Sequence, residues 1–222
     1  MYNHIIMEIK FDEKEVAKEL NCYKIEFNAK PNLMANALNN HSTLVLVVDM
    51  INGFCKKGAL ASERCEGIIA PIKDLLLKLP KAQHVFIRDE HAEDAIEFKS
   101  FPPHCHNKDE SSVVKELKEF AKNAIDVAKN STNAFFALGN KVANLGGFAN
   151  ILLVGVCTDI CVMQLALTLR TYFNEINSPA NVTVITDCVE TYDAPGHNAN
   201  LSNLFSLKFL EQAGVQLFKS LV

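Results

Sequence analysis

Cys161 stands in the stretch Gly155-Val-Cys-Thr-Asp-Ile-Cys161-Val, directly after a continuous apolar run from Ile151 to Val156. Thr158 and Asp159 are helix N-cap residues, and Val162, Leu165, Ala166 and Leu169 recur at helical spacing. The stretch therefore predicts a strand, a tight turn and a helix, with Cys161 in the first helical turn. A thiol there meets the positive end of the helix dipole and unpaired backbone N–H groups, which favour the thiolate. The same N–H groups can hold an oxyanion. That is the chemistry of a nucleophilic hydrolase. A buried, inert cysteine fits the same local pattern, so the thiol needs a base from elsewhere in the chain.

Other ionisable residues close apolar runs in the same way. Thr43-Leu-Val-Leu-Val-Val-Asp49 ends in a carboxylate, and Ile125-Asp-Val-Ala-Lys129 in an ammonium. Beside Cys161, Asp49 would accept and return a proton and Lys129 would favour thiolate. Taken singly, Asp49 is also a turn or cap residue and Lys129 an exposed lysine. A third run, His84-Val-Phe-Ile-Arg-Asp89, continues into Asp89-Glu-His91 and then Glu97-Phe-Lys-Ser-Phe101-Pro-Pro-His104-Cys105. Asp89 and His91 are two apart, so in an extended chain they point the same way. Two histidines with one or two carboxylates, partly held by a rigid Pro-Pro, suit a borderline divalent cation. A solvated polar loop has the same spacing, and the residues alone leave both open.

Buried apolar strands must position these groups. Six are expected: the four runs above, Val182 to Asp187, and Val215 to Phe218. Helices are expected over Glu66–Leu79 (closed by Pro80), Ser111–Lys122 with Ser111 or Ser112 as N-cap, from Asn140, after Cys161, and over Asn198–Ala213. Strands alternating with helices imply an α/β fold, three-layered α/β/α, around a mostly parallel six-stranded sheet. Ligands of such sheets bind at the carboxyl ends of the strands, where Asp49, Lys129 and Cys161 all fall. Residues 1–40 carry no evident chemistry. Phe11 to Leu20 suits a short helix and Tyr23 to Phe27 a short strand, together an extension packed on the 41–222 domain or at an interface.

The chain has 222 residues, 49% hydrophobic and 22% charged, enough for one substantial core. A net charge of −4 without a basic run argues against nucleic acid and anionic membrane as partners. Seven irregularly spaced cysteines and the absence of an apolar leader or span-length run imply a reducing cytoplasm. Cys157 and Cys161, four apart, are not a C-x-x-C redox pair. Cys22, Cys55, Cys65, Cys105 and Cys188 are expected to be incidental thiols. Asp187 is expected to be a supporting or interface residue, His197 to start a helix, and His106 to face solvent.

From residue 43 to the C-terminus the chain resembles the isochorismatase-like cysteine hydrolases, and within them the nicotinamidase branch. The motifs are Asp49 with Asn52-Gly-Phe54 behind it, Lys129 followed by Asn133-Ala-Phe135, and Gly155 to Val162. The resemblance implies a catalytic triad of Asp49, Lys129 and Cys161. It implies an oxyanion hole from the backbone N–H groups of Cys157 and Cys161, and a cis peptide between Val156 and Cys157. It also implies one divalent metal on Asp89, His91 and His104: Zn2+ first, with Fe2+ or Mn2+ as alternatives. Some relatives add a His and others a Glu; here Glu97 is the fourth candidate, with Glu93 and Asp94 as competitors. Phe54 and Phe101 match positions that stack on a flat substrate ring. The implied substrate is nicotinamide, converted to nicotinic acid and ammonia in NAD salvage. A homo-oligomer is left open.

Overall fold

The computed structural model describes residues 10–139 and 145–222. Six strands form one sheet: β1 (Thr43–Val48), β2 (Gln83–Asp89), β3 (Ile125–Lys129), β4 (Asn150–Val156), β5 (Asn181–Glu190) and β6 (Gln216–Phe218). Their order is β3-β2-β1-β4-β5-β6, and every pairing is parallel. The helices are α1 (Glu13–Asn28), α2 (Asn52–Cys55), α3 (Glu63–Gly67), α4 (Ile69–Lys78), α5 (Lys118–Ala121), α6 (Phe135–Leu138), α7 (Met163–Glu175) and α8 (Ala199–Gln212).

Side chains alternate across a strand, so each buried strand feeds two cores. Leu44, Leu46, Val48, Ile151 and Leu153 join Leu165, Leu169 and Phe173 of α7 and Leu207 and Leu210 of α8. Val45, Val47, Phe86, Leu152 and Val154 face the other way, onto Ile69, Ile72, Leu75 and Leu76 of α4. The result is the expected three-layer α/β/α arrangement. The strand order reverses direction between β1 and β4, and a crevice opens outside their carboxyl ends. Close approach of the two strands there needs Gly155. Its φ is +117°, and a Cβ on it would lie 1.9 Å from the Val48 carbonyl oxygen.

Several elements differ from expectation. The N-terminal region is one helix, α1, not a helix and a strand. Val16, Leu20, Tyr23 and Phe27 lie on one partly covered face at helical spacing, and Asp12 caps the start by accepting from Lys14 N and Glu15 N. The helix expected over Ser111–Lys122 shrinks to a 3₁₀ turn (Lys115–Leu117) and α5. Ser111 and Ser112 do not cap; their hydroxyls donate back to the Cys105 and Lys108 carbonyls. Val113 instead bridges Ile51, antiparallel. The helix expected from Glu66 starts at Glu63, capped by Ser62, and breaks at Ile68 before α4. Strand β5 runs past Asp187 to Glu190 through a register shift opposite Leu153–Gly155. Of the helix expected from Asn140, positions 140–144 lie outside the described residues, and Leu145–Gly147 is a single 3₁₀ turn.

Helix α1 is held on α8 by Phe27, which is 8% exposed. Residues 31–35 then run beside the C-terminal segment, with Leu33 N donating to Ser220 O and Val222 N to Leu33 O. Phe27→Ala should cost about 2 kcal/mol, since a nearly buried aromatic ring loses its apolar cover. Urea unfolding checks this; an unchanged midpoint would mean that α1 contributes nothing to the stability of the domain. Among the described residues, no helix is long and apolar enough to cross a membrane.

Candidate active site

Four strand ends converge on one buried cluster. Asp49 directly follows β1, with φ +52°, a left-handed conformation that Asp tolerates. Asp89 ends β2 and Lys129 ends β3, paired in register. Cys161 lies in a short π-type turn, Thr158–Val162, between β4 and α7. That turn replaces the expected capped helix start. Thr158 is buried and caps nothing, and Asp159 points to His197 instead. The Val156–Cys157 peptide is cis, as the resemblance implied.

Lys129 is the hub. Its Nζ lies 2.9 Å from Asp49 Oδ2 and 3.6 Å from Cys161 Sγ, and it also bonds Asp89 Oδ1. Asp49 Oδ1 accepts from the Asp89 backbone N–H at 2.8 Å. Ligand atoms of Asp49, Asp89 and Cys161 all lie within 4.8 Å of one another. All four side chains are buried.

The electrostatics correct one expectation. Burial raises the Cys161 thiol well above its usual range; Lys129 opposes this, but Asp49 and Asp89 add to it. Burial and the two carboxylates thus work against the thiolate that the helix terminus was expected to favour, while Lys129 favours it as expected. Asp49 is matched to that thiol. Burial, then the charge of Asp89, lift its carboxyl to about 6 against the pull of Lys129. Burial acts against charge on Lys129 too, but Asp49 and Asp89 more than compensate and keep it an ammonium. Burial likewise penalises Asp89, but Lys129, His104 and His91 hold it well below the usual carboxylate range.

A second group shares Asp89. Its Oδ2 lies 3.7 Å from His91 Nε2 and 3.7 Å from His104 Nε2. Each imidazole is oriented through its other nitrogen. His91 Nδ1 faces Asn130 Oδ1 at 3.1 Å, and His104 Nδ1 donates to the Pro102 carbonyl at 2.8 Å. Both Nε2 atoms thereby face the interior beside Asp89, and His91 Nε2 is buried without a hydrogen-bond partner. An orphaned ring nitrogen beside a second imidazole and a carboxylate fits a divalent cation.

The cavity above these groups is narrow. Phe54, Leu60, Phe101, Ile160 and Tyr192 line it, with Asp89, His104, Cys157 and Cys161 at its reactive end. An apolar slot with a thiol, a carboxylate and the His104 imidazole at its base takes a small flat molecule bearing an electrophilic carbon.

Residues 43–216 match the model of the Isochorismatase domain family. The chain belongs to the isochorismatase family. No match was found among curated proteins. Solved structures agree on the fold. N-carbamoylsarcosine amidase from Thermoplasma acidophilum is 20% identical with a TM-score of 0.65, over 80% of this chain and 96% of its own. Pyrazinamidase of Pyrococcus horikoshii in complex with zinc is 23% identical with a TM-score of 0.61, over 80% and 99%. PnC1 from L. infantum in complex with nicotinate is 23% identical with a TM-score of 0.67, over 83% and 97%.

Within this isochorismatase-family hydrolase, Glu97 sits at the rim of the imidazole group. One carboxylate oxygen is 4.0 Å from His91 Nε2, and the other accepts from Thr132 N. Glu93 and Asp94 are exposed, as is His106. His197 lies just before the α8 N-cap, Asn198. Asp187 lies away from the cavity and accepts from Ser220 Oγ. The sequence did not point to Asn130, Phe98 or Tyr192. Phe98 packs edge-on against both His91 and His104, at 5.3 and 5.8 Å between ring centroids. Asn130 follows a strand-end residue already singled out, which was the available signal. Tyr192 follows β5, but only once that strand is known to extend to Glu190.

Proposed function

We propose that this hydrolase is a nicotinamidase, converting nicotinamide to nicotinic acid and ammonia for NAD salvage. The observation that carries this is the sharing of Asp89: one carboxylate serves both the Asp49–Lys129–Cys161 group and the His91–His104 pair. A thiol hydrolase needs only the first. The second suits a substrate whose ring carries a ligand nitrogen beside its carboxamide. The zinc complex of the P. horikoshii pyrazinamidase and the nicotinate complex of the L. infantum protein support the same assignment.

Asp89, His91 and His104, with Glu97 at the rim, would hold Zn2+ (or Fe2+ or Mn2+), which when bound supplies a Lewis acid for the pyridine nitrogen. The remaining steps belong to the chain. Phe54 and Phe101 flank the ring. Asp49 takes the Cys161 proton as the sulfur attacks the carboxamide carbon. The Cys157 and Cys161 N–H groups receive the oxyanion. Asp49 returns its proton to the leaving ammonia, giving a thioester. It then deprotonates the water that hydrolyses the thioester. Lys129 stays charged throughout and holds both carboxylates in place.

Ammonia release from nicotinamide, pyrazinamide and unrelated small amides, with bound metal assayed in the same sample, tests the assignment. Preference for the pyridine and pyrazine carboxamides is expected. Preference for a carbamoyl compound would move the protein towards the N-carbamoylsarcosine amidase branch. No release from any amide, with Cys161 slow to alkylate, would identify a non-catalytic member. Chelation is expected to abolish turnover and lower the melting temperature, and Zn2+ at about a hundred times its Kd should restore about 2.7 kcal/mol of stability. Unchanged melting and turnover in verified metal-free protein would exclude a metal at His91 and His104.

A further inference from the structure

The nucleophile turn and one wall of the cavity are joined by a single histidine. Asp159, two residues before Cys161, meets His197 Nε2 at 2.7 Å. His197 Nδ1 donates to the Tyr192 carbonyl oxygen at 2.9 Å. The His197 ring also stacks on the Tyr192 ring, with centroids 4.2 Å apart and planes 17° from parallel. Tyr192 in turn lines the cavity beside Cys157, Ile160 and Cys161. Its hydroxyl makes no hydrogen bond among the described residues, so stacking is what fixes the ring. The loop carrying both residues is itself tied down. Ala194 and His197 exchange two backbone hydrogen bonds, of 3.0 and 2.9 Å. Asp193 accepts from Ala199 N at 2.8 Å, and Arg64 of α3 grips Glu190 at the end of β5.

We propose that His197 is a positioning residue: through Asp159 it fixes the turn that carries Cys161, and through Tyr192 it fixes the wall that limits the width of the ring the site accepts. The choice of an aromatic carboxamide as probe rests on the function proposed above; the link between turn and wall does not. The physical reason is tolerance. A nucleophile displaced by about 1 Å loses roughly a hundredfold in rate, and the turn holding Cys161 has no side-chain cap of its own. Asp159 reaches outward for that support, and His197 passes the constraint to the one aromatic wall contributed by the loop after β5.

The test uses the full chain with metal assayed, and compares Tyr192→Ala, His197→Ala and Asp159→Asn with wild type. Two substrates are used, nicotinamide and the wider quinoline-3-carboxamide. Alkylation of Cys161 by iodoacetamide and by the bulkier N-phenylmaleimide is read in parallel by peptide mass spectrometry. Tyr192→Ala should shift the kcat/KM ratio about tenfold towards the wider ring, mainly through KM, and shift the labelling ratio towards N-phenylmaleimide. His197→Ala and Asp159→Asn should each lower kcat about tenfold or more with a smaller change in KM, and the double variant should be no worse than either. Both should change the iodoacetamide rate at Cys161. If His197→Ala does not fold, Asp159→Asn, which keeps the side-chain shape, carries the comparison. Unchanged width selection in folded Tyr192→Ala overturns the wall, and an unchanged alkylation rate in Asp159→Asn overturns the link. If wild type releases no ammonia from any pyridine carboxamide, the nicotinamidase assignment falls, while the two alkylation readouts still decide this proposal.

Discussion

Cys161→Ala is expected to abolish ammonia release, with a loss of about 10⁴-fold or more, because the covalent step has no other nucleophile. The other thiol lining the cavity, Cys157, is raised well above its usual range, first by its hydrogen bond to Cys65 and then by burial. Cys161, by contrast, lies against Asp49 and Lys129. Cys161→Ala removes one small buried side chain, so the fold should lose only about 1 kcal/mol. The measurement is ammonia release with unfolding followed on the same preparation. A folded Cys161→Ala protein that retains turnover would remove the thiol from the mechanism. Asp49→Asn should be nearly as damaging, because a carboxyl lifted to about 6 is the group suited to exchanging a proton with the Cys161 thiol.

The second large effect is on stability. Lys129→Met should cost about 3–5 kcal/mol, since it leaves the Asp49 and Asp89 carboxylates buried side by side without their cation. The loss comes from stranded negative charge, not from lost contact, so a second change should repair it in part. Lys129→Met with Asp49→Asn should unfold at higher urea than Lys129→Met alone, although neither variant should turn over substrate. A Lys129→Met protein within about 1 kcal/mol of wild type would mean that water or a proton neutralises the cluster as well as the ammonium does.

Much of this site was legible because parallel sheets collect strand ends on one edge. Asp49, Asp89 and Lys129 each close an apolar run, and an alternating strand–helix pattern alone brings such residues together. The residue types and spacing of His91 and His104, with the rigid Pro-Pro before His104, left a metal site and a solvated loop equally open, and only the family resemblance grouped the two with Asp89. The protonation state of Cys161 was not legible. It depends on the balance of burial and two carboxylates against one ammonium, and no spacing rule contains that balance. Tyr192 and the Asp159–His197 pair were missed because β5 extends through a register shift that periodicity does not reveal. In the N-terminal region, Tyr23, Ile25 and Phe27 alternate like a strand, while the longer helical face from Val16 to Phe27 wins once α8 is there to cover it.

Asp89 offers one oxygen to Lys129 and the other to the two imidazoles, so the two halves of the site cannot be thermodynamically independent. A cation held by Asp89 competes with Lys129 for the same electron density and is repelled by its charge. Affinity on one side is therefore coupled to occupancy on the other, by the same factor in either direction. Lys129→Met should bind Zn2+ about tenfold more tightly than wild type in a chelator competition, even as its apo form unfolds more easily. The lysine that keeps the carboxylates in order would then also moderate metal affinity, holding the ion firmly enough to stay yet loosely enough to accept a ligand from the substrate.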